Sequence, residues 1–164
     1  MKKILTLLCL IAVLIGVSIY AAVPTKTHPN LGKAQYLIDK AYAKISEAQK
    51  AHEFDLGGHA AKAKDFLDQA TKELKLAEVV ADENAGNKSG EEKHGDRTDE
   101  PVKNIGSKHP NLAEAQQFIS DAYDRVSAAQ KANEFDLGGH AAKAKDFLEQ
   151  ASQELKLAAQ HANQ

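Results

Sequence analysis

The chain is poor in the residue types that carry sulfur chemistry. It has one cysteine and one methionine among its 164 residues, and these are Cys9 and Met1. Beyond the first nine residues the protein therefore has no disulfide, no thiolate ligand and no cysteine nucleophile. Methionine ligation is excluded there as well.

A strong charge of one sign is also missing. The formal net charge is −2 and no stretch forms a basic stripe, so the electrostatic footprint of nucleic-acid binding is absent. We expect no nucleic-acid partner. Ser46 and Ser127 lie in helical patterns without a His–Asp partnership, and we expect no catalytic residue and no enzyme activity.

The longest apolar run stands at the amino terminus, in "MKKILTLLCLIAVLIGVSIYAAVP". Lys2 and Lys3 precede the apolar residues 4–17, and small residues follow up to Ala22. This pattern is typical of a secretory signal, which we place at residues 1–22. The protein is therefore expected to be periplasmic or secreted.

An uncleaved membrane anchor is the alternative for this leader. Residues 4–23 match the roughly 20 residues that a membrane span requires. In that case the protein would contact the membrane only through its leader. Lipidation is not expected, because Leu8 precedes Cys9 where a small residue would be required.

Most of the remaining sequence is a tandem repeat. Residues 28–77 and 109–158 align without gaps at an offset of 81, and 36 of the 50 positions are identical. Residues 53–67, "EFDLGGHAAKAKDFL", return letter for letter at 134–148. Between the copies, residues 82–106 are rich in charge, glycine and asparagine, which predicts a flexible charged linker.

Each copy has the pattern of two amphipathic helices. Leu31, Ile38 and Ile45 are spaced by seven, or about two turns of 3.6 residues, which is typical of a helix with one buried face. The predicted fold is all-α, with two tandem antiparallel helical hairpins, residues 28–80 and 109–162, packed as a four-helix bundle. Exchange of hairpins between chains, giving a homo-oligomer, is the competing arrangement.

The motif "EFDLGGH" marks the corner between the two helices. Asp55 is predicted to be the N-cap of the second helix, with Phe54 and His59 at the two ends of a hydrophobic staple. Gly57 and Gly58 either permit a left-handed residue or let a neighbouring backbone approach closely. The sequence alone leaves both roles open.

If the linker lets the second hairpin run in the same direction as the first, both corners lie at one end of the bundle. His59 and His140 would then face each other across a pseudo-twofold axis, and imidazoles with carboxylates suit zinc, copper or nickel. The other predicted ligands of this site are Glu53, Glu134, Asp55, Asp136 and His52. The alternative interpretation is structural, with the aspartate used as a cap and the histidine packed against Phe54.

The unit "GGHAAKAKDFLDQATKELKLA" resembles the hairpin repeats of the small metal-binding protein family. Members of that family are periplasmic four-helix bundles rich in histidine. The resemblance implies an exported protein with a metal-binding or buffering role. Here each second helix has one histidine near its start, His59 or His140.

A protein-interaction scaffold of the cell envelope, without a small ligand, is the second functional hypothesis. The first helices of the two copies differ at surface positions, with Tyr36 against Gln117 and Lys40 against Asp121. These differences predict two distinct outer surfaces. The partner would then be an envelope protein rather than a metal ion.

Overall fold

The computed structural model of the chain describes residues 28–51, 56–85, 105, 108–132 and 137–163. This part of the chain forms four α-helices and two short 3₁₀ turns. The elements are α1 (Pro29–Ala51), a turn at Leu56–Gly58, α2 (His59–Ala85), α3 (Pro110–Ala132), a turn at Leu137–Gly139, and α4 (His140–His161). The predicted all-α fold with four helices in two hairpins is confirmed.

The helices form where the sequence places apolar residues on one side. In α1 the buried residues include Leu31, Ile38 and Ile45, which follow one another at the predicted spacing of seven. Pro29 is the first residue of α1, where its missing N–H group breaks no hydrogen bond of the helix. Each fully buried leucine contributes roughly 1.5–3 kcal/mol to folding.

The closest neighbours in the bundle are α2 with α4 and α1 with α3. The seam between α2 and α4 includes fully buried alanines in both helices, whose small side chains permit a close approach of the backbones. These alanines are Ala60, Ala63, Ala70 and Ala77 in α2, and Ala141, Ala144, Ala151 and Ala158 in α4. The predicted burial of one broad stripe per helix is therefore confirmed.

Both close pairs of helices are antiparallel. The first residue of α2, His59, contacts Glu154 late in α4, and the first residue of α4, His140, contacts Glu73 within α2. In the other pair, Lys44 in the second half of α1 contacts Glu114 near the start of α3.

The two corners consequently lie at opposite ends of the bundle. The first corner, at Gly57, lies against His161 at the end of α4, whereas the second corner, at Gly138, lies against Val80 late in α2. The 22 residues of α4 separate these ends by about 33 Å. The prediction that both corners emerge at one end is wrong.

Two physical reasons account for this arrangement. The segment between α2 and α3 has enough residues to span roughly 70 Å when extended, so the connection does not force an up-down-up-down order. Antiparallel packing of α2 and α4 also sets the positive end of each helix dipole beside the negative end of the other. The pseudo-twofold axis that relates the two copies therefore runs across the helices and not along them. It passes near the stacked rings of Phe66 and Phe147, whose centroids are 6.4 Å apart.

The boundaries of the predicted linker differ from the structure at both ends. α2 continues to Ala85, so its last turn lies within the segment 82–106 assigned to the linker. Ile105, near the other end of that segment, is buried in the core. Both ends of the segment thus join the folded part of the chain.

The predicted signal peptide, residues 1–22, lies outside the described residues. Among the helices that the structure does describe, none is both long enough and apolar enough to cross a membrane.

Candidate functional site at the ends of the bundle

The corner has an unusual backbone in both copies. Leu56, Gly57 and Gly58 have φ angles of 51°, 66° and 76°, which places three consecutive residues in the left-handed region. Glycine adopts this region freely, whereas a leucine is strained there. The second copy repeats the conformation with φ angles of 47°, 66° and 76° at the corresponding positions.

The glycines also answer the question that the sequence left open. A Cβ atom on Gly57 would lie 3.0 Å from the ring of His161 and 3.2 Å from that of His59. Gly57 therefore serves the first predicted purpose, a left-handed conformation, whereas its close neighbours are imidazole side chains and not the predicted backbone.

The helix cap differs from the prediction. α2 begins at His59, several residues after Asp55. In the equivalent helix α4 the N-cap is Gly139, and no side chain makes a cap hydrogen bond. The prediction that Asp55 is the N-cap is therefore wrong, because the left-handed glycines delay the start of the helix.

His59 forms a short contact with a carboxylate of the other hairpin. Its Nδ1–H donates to Oε2 of Glu154 at 2.6 Å. The His59 and Glu154 side chains are only 24% and 17% exposed, so the hydrogen bond is largely shielded from solvent. This hydrogen bond leaves Nε2 of the same imidazole available for another partner.

The second copy contains the same pair in reverse. The Nδ1–H of His140 donates to Oε2 of Glu73 at 2.7 Å. Each pair thus joins the start of one hairpin's second helix to the second helix of the other hairpin. The two pairs link the hairpins at two separate places.

His59 and His140 therefore do not share a pocket. Glu154, which contacts His59, lies fourteen residues beyond His140 on α4, or about 21 Å along the helix. The prediction that the two imidazoles face each other is wrong, because the second helices run antiparallel. The remaining predicted ligands lie outside the described residues, and these are His52, Glu53, Asp55, Glu134 and Asp136.

Sequence reasoning missed the two glutamates, although the sequence carries a signal for them. Glu73 lies fourteen residues after His59, and Glu154 lies fourteen residues after His140. Fourteen residues are about four helical turns, so the histidine and the glutamate occupy one face of their helix. When two such helices pack antiparallel, each histidine meets the glutamate of the other helix.

The two corners differ in the residue that the left-handed glycine faces on the opposing helix. At the first corner Gly57 lies close to His59 and to His161, so two imidazoles are neighbours there. At the second corner Gly138 lies close to His140 and to Val80, which is the counterpart of His161 at the offset of 81. Within the described residues, no three His, Cys, Asp or Glu side chains are grouped so as to hold a metal ion.

Two further histidines close the open ends of the hairpins. The Nε2–H of His28 donates to Oδ1 of Asp82 at 3.1 Å, and the Nε2–H of His109 donates to Oδ1 of Asn163 at 3.3 Å. Both contacts join the start of a first helix to the end of the second helix of its hairpin. We interpret these histidines as structural residues.

Comparisons with protein-family models, with curated proteins and with solved structures find no match to the chain. The function is therefore proposed from the sequence of the chain, its resemblances included, and from the geometry of its residues.

Proposed function

We propose that this chain is an exported, non-enzymatic binding protein whose ligand is a divalent metal ion such as zinc, copper or nickel. Its leader supports export, and its family resemblance supports a metal-binding role. The proposal depends above all on the neighbouring imidazoles of His59 and His161. We expect weak binding of one ion per chain.

The contact with Glu154 supports His59 as a ligand. A carboxylate that accepts from one ring nitrogen fixes the tautomer and the orientation of the imidazole. Because Nδ1 donates to Glu154, the lone pair of Nε2 is the one that can bind a metal ion.

The position of His161 supports it as the second ligand. Its ring and that of His59 both lie within 3.2 Å of a single point, the Cβ position that Gly57 lacks. His161 is exposed, so its ring can turn towards an ion without loss of core packing. Two imidazoles suit zinc, copper and nickel, and water would complete the coordination of such a site.

Calorimetric titration of the exported protein with zinc, copper and nickel tests this proposal. We expect His59→Ala and His161→Ala each to weaken binding at least tenfold, since either change leaves a single imidazole. His140→Ala is the matched control, because His140 makes the same contact with a glutamate but has Val80 beside it. Equal effects of all three changes, or no heat with the unchanged protein, would contradict the proposal.

A gain of binding provides a second test. Val80→His places a second imidazole at the other corner, so the stoichiometry should rise from one ion per chain to two. The further change His140→Ala should return it to one. A stoichiometry that stays at one in the Val80→His variant would show that neighbouring imidazoles are not the binding determinant.

The outer face of α1 favours the interaction scaffold as a second candidate function. Tyr36 is 48% exposed, and the ammonium groups of Lys33 and Lys40 lie 4.6 Å and 5.4 Å from its ring centre. The corresponding positions of α3 hold Glu114, Gln117 and Asp121, so the two repeats present different surfaces.

Photo-crosslinking in the intact cell envelope tests the scaffold. A crosslinking residue at position 36 should form a discrete adduct with a protein partner, and the same residue at position 117 should not. Adducts at both positions, or at neither, would argue against recognition through the α1 face.

A further inference from the structure

A groove of about 370 Å³ opens between α3 and α4 of the second hairpin. Ile119 and Leu148 are its buried apolar residues, and Gln116 and Ser152 also line it. Its volume lies within the range of roughly 300–1,000 Å³ that small-molecule sites occupy. The groove contains no residue of the proposed metal site.

Gln116 is the least expected residue of this groove. Its side chain is only 4% exposed, and its Nε2–H donates to Oγ of Ser152. The amide oxygen Oε1 is buried and has no hydrogen-bond partner. Buried polar atoms are almost always hydrogen-bonded, so the unpaired acceptor of a residue that lines the groove favours a ligand that donates to it.

The sequence difference between the repeats provides an independent indication. Ser120 and Ser152 line the groove, whereas the first copy has the larger residues Asp39 and Thr71 at the equivalent positions. Both differences remove side-chain volume from the second hairpin. Two residues that line the groove are thus smaller in the second copy than their counterparts in the first.

The charges at the groove restrict the class of ligand. Glu149 and Lys156 both line it, so one carboxylate and one ammonium group are present. Neither sign of charge is in excess, which disfavours a strongly charged ligand.

We propose that this groove is a binding site for a small neutral molecule with an apolar body and one O–H or N–H donor. The apolar body packs on Ile119 and Leu148, and the donor group satisfies Oε1 of Gln116. The site lies in the second hairpin and is independent of the metal ion.

Benzyl alcohol and benzyl methyl ether are suitable probes, because they share an aromatic body and only the alcohol can donate. We expect benzyl alcohol to cause saturable NMR shifts in the Gln116 side-chain amide and in the methyl groups of Ile119 and Leu148. The ether should bind about five- to tenfold more weakly, since it leaves the acceptor unpaired. The titrations are made without metal, so their outcome does not depend on the proposed function.

Variants at equivalent positions of the two copies distinguish binding in this groove from non-specific binding. Gln116→Leu should abolish the preference for the alcohol, whereas Gln35→Leu at the equivalent position of the first copy should preserve it. Ser152→Thr installs the residue that the first copy tolerates and should weaken both probes, and Thr71→Ser should weaken neither. Absence of saturable shifts at the groove, or equal affinity for the two probes, would overturn the proposal.

Discussion

Leu56 and Gly57 share a left-handed backbone, although only one of them is a glycine. The left-handed region costs a leucine about 1–2 kcal/mol. Leu56 is 2% exposed, and full burial of a leucine contributes about 1.5–3 kcal/mol, so packing outweighs the backbone strain. A glycine pair predicts such a turn from sequence, whereas the strained leucine is evident only from the packed structure.

Replacement of Gly57 by alanine should destabilise the protein by about 1–2 kcal/mol, because the new Cβ atom must adopt a positive φ. It would also lie 3.0 Å from the His161 ring. Urea denaturation followed by circular dichroism measures the change. Gly32→Ala is the control, because nothing lies within 4 Å of that Cβ position and the second copy has Ala113 there. We expect the control to stabilise the protein by about 0.5–1 kcal/mol, and equal effects of the two changes would contradict this account.

Among the elements, the contact of α2 with α4 shows most clearly what the sequence could and could not predict. Ala63, Ala70 and Ala77 recur at a spacing of seven, which is typical of one buried helix face, and these residues are fully buried. An apolar stripe, however, looks the same whether its partner helix runs parallel or antiparallel. The pairing of His59 with Glu154 depends on that direction, so it could not be predicted from the stripe alone.

The pair of His59 and Glu154 should be energetically coupled. A double-mutant cycle with His59→Ala and Glu154→Ala should give a coupling of about 1 kcal/mol, since the hydrogen bond is largely shielded from solvent. The cycle of His140 with Glu73 should give a similar value. As a control, His59 with Glu73 should show no coupling, because these residues belong to different pairs. Coupling in the control cycle would mean that the corners are not independent.

Lys44 connects α1 with α3 by an exposed ion pair. The pKa of Lys44 is raised above 10.5, first by its hydrogen bond with Glu47 and then by that with Glu114. A raised lysine pKa stabilises the fold at pH values below 10.5, and this stabilisation is lost as the pH rises through the folded-state value. Lys44→Met should therefore lower Tm slightly at pH 7, and the difference from the unchanged protein should shrink above pH 10.5. A Tm difference that is independent of pH would argue against the ion pair.

At the scale of the whole molecule, sequence predicted the bundle but not the direction of its second half. The 36 identical positions predicted two hairpins of the same structure. Their relative orientation depends on long-range packing, and the segment between them is long enough for either direction. The prediction of a shared pocket for His59 and His140 was wrong for this reason, although each histidine lies at the start of its helix.

Distance measurements between spin labels check this orientation. Ala51 and Ala132 end α1 and α3, whose 23 residues extend about 35 Å, and in antiparallel helices the two labels should be separated by about that length. Ala51 and Lys108 should instead give a short distance. The labels are attached to cysteines in the exported protein, with Cys9 replaced if the leader is retained. A short distance between Ala51 and Ala132 would mean that both corners lie at one end.

The crossed pairs of histidine and glutamate have a consequence for assembly. Because each hairpin offers the other the same donor and the same acceptor, its inner surface is self-complementary, as in a twofold symmetric dimer. Joining both halves in one polypeptide makes their encounter intramolecular, so that it no longer depends on protein concentration. One hairpin can then change its sequence at single positions and still pair with the other hairpin. His161 and the serines of the second hairpin are differences of this kind.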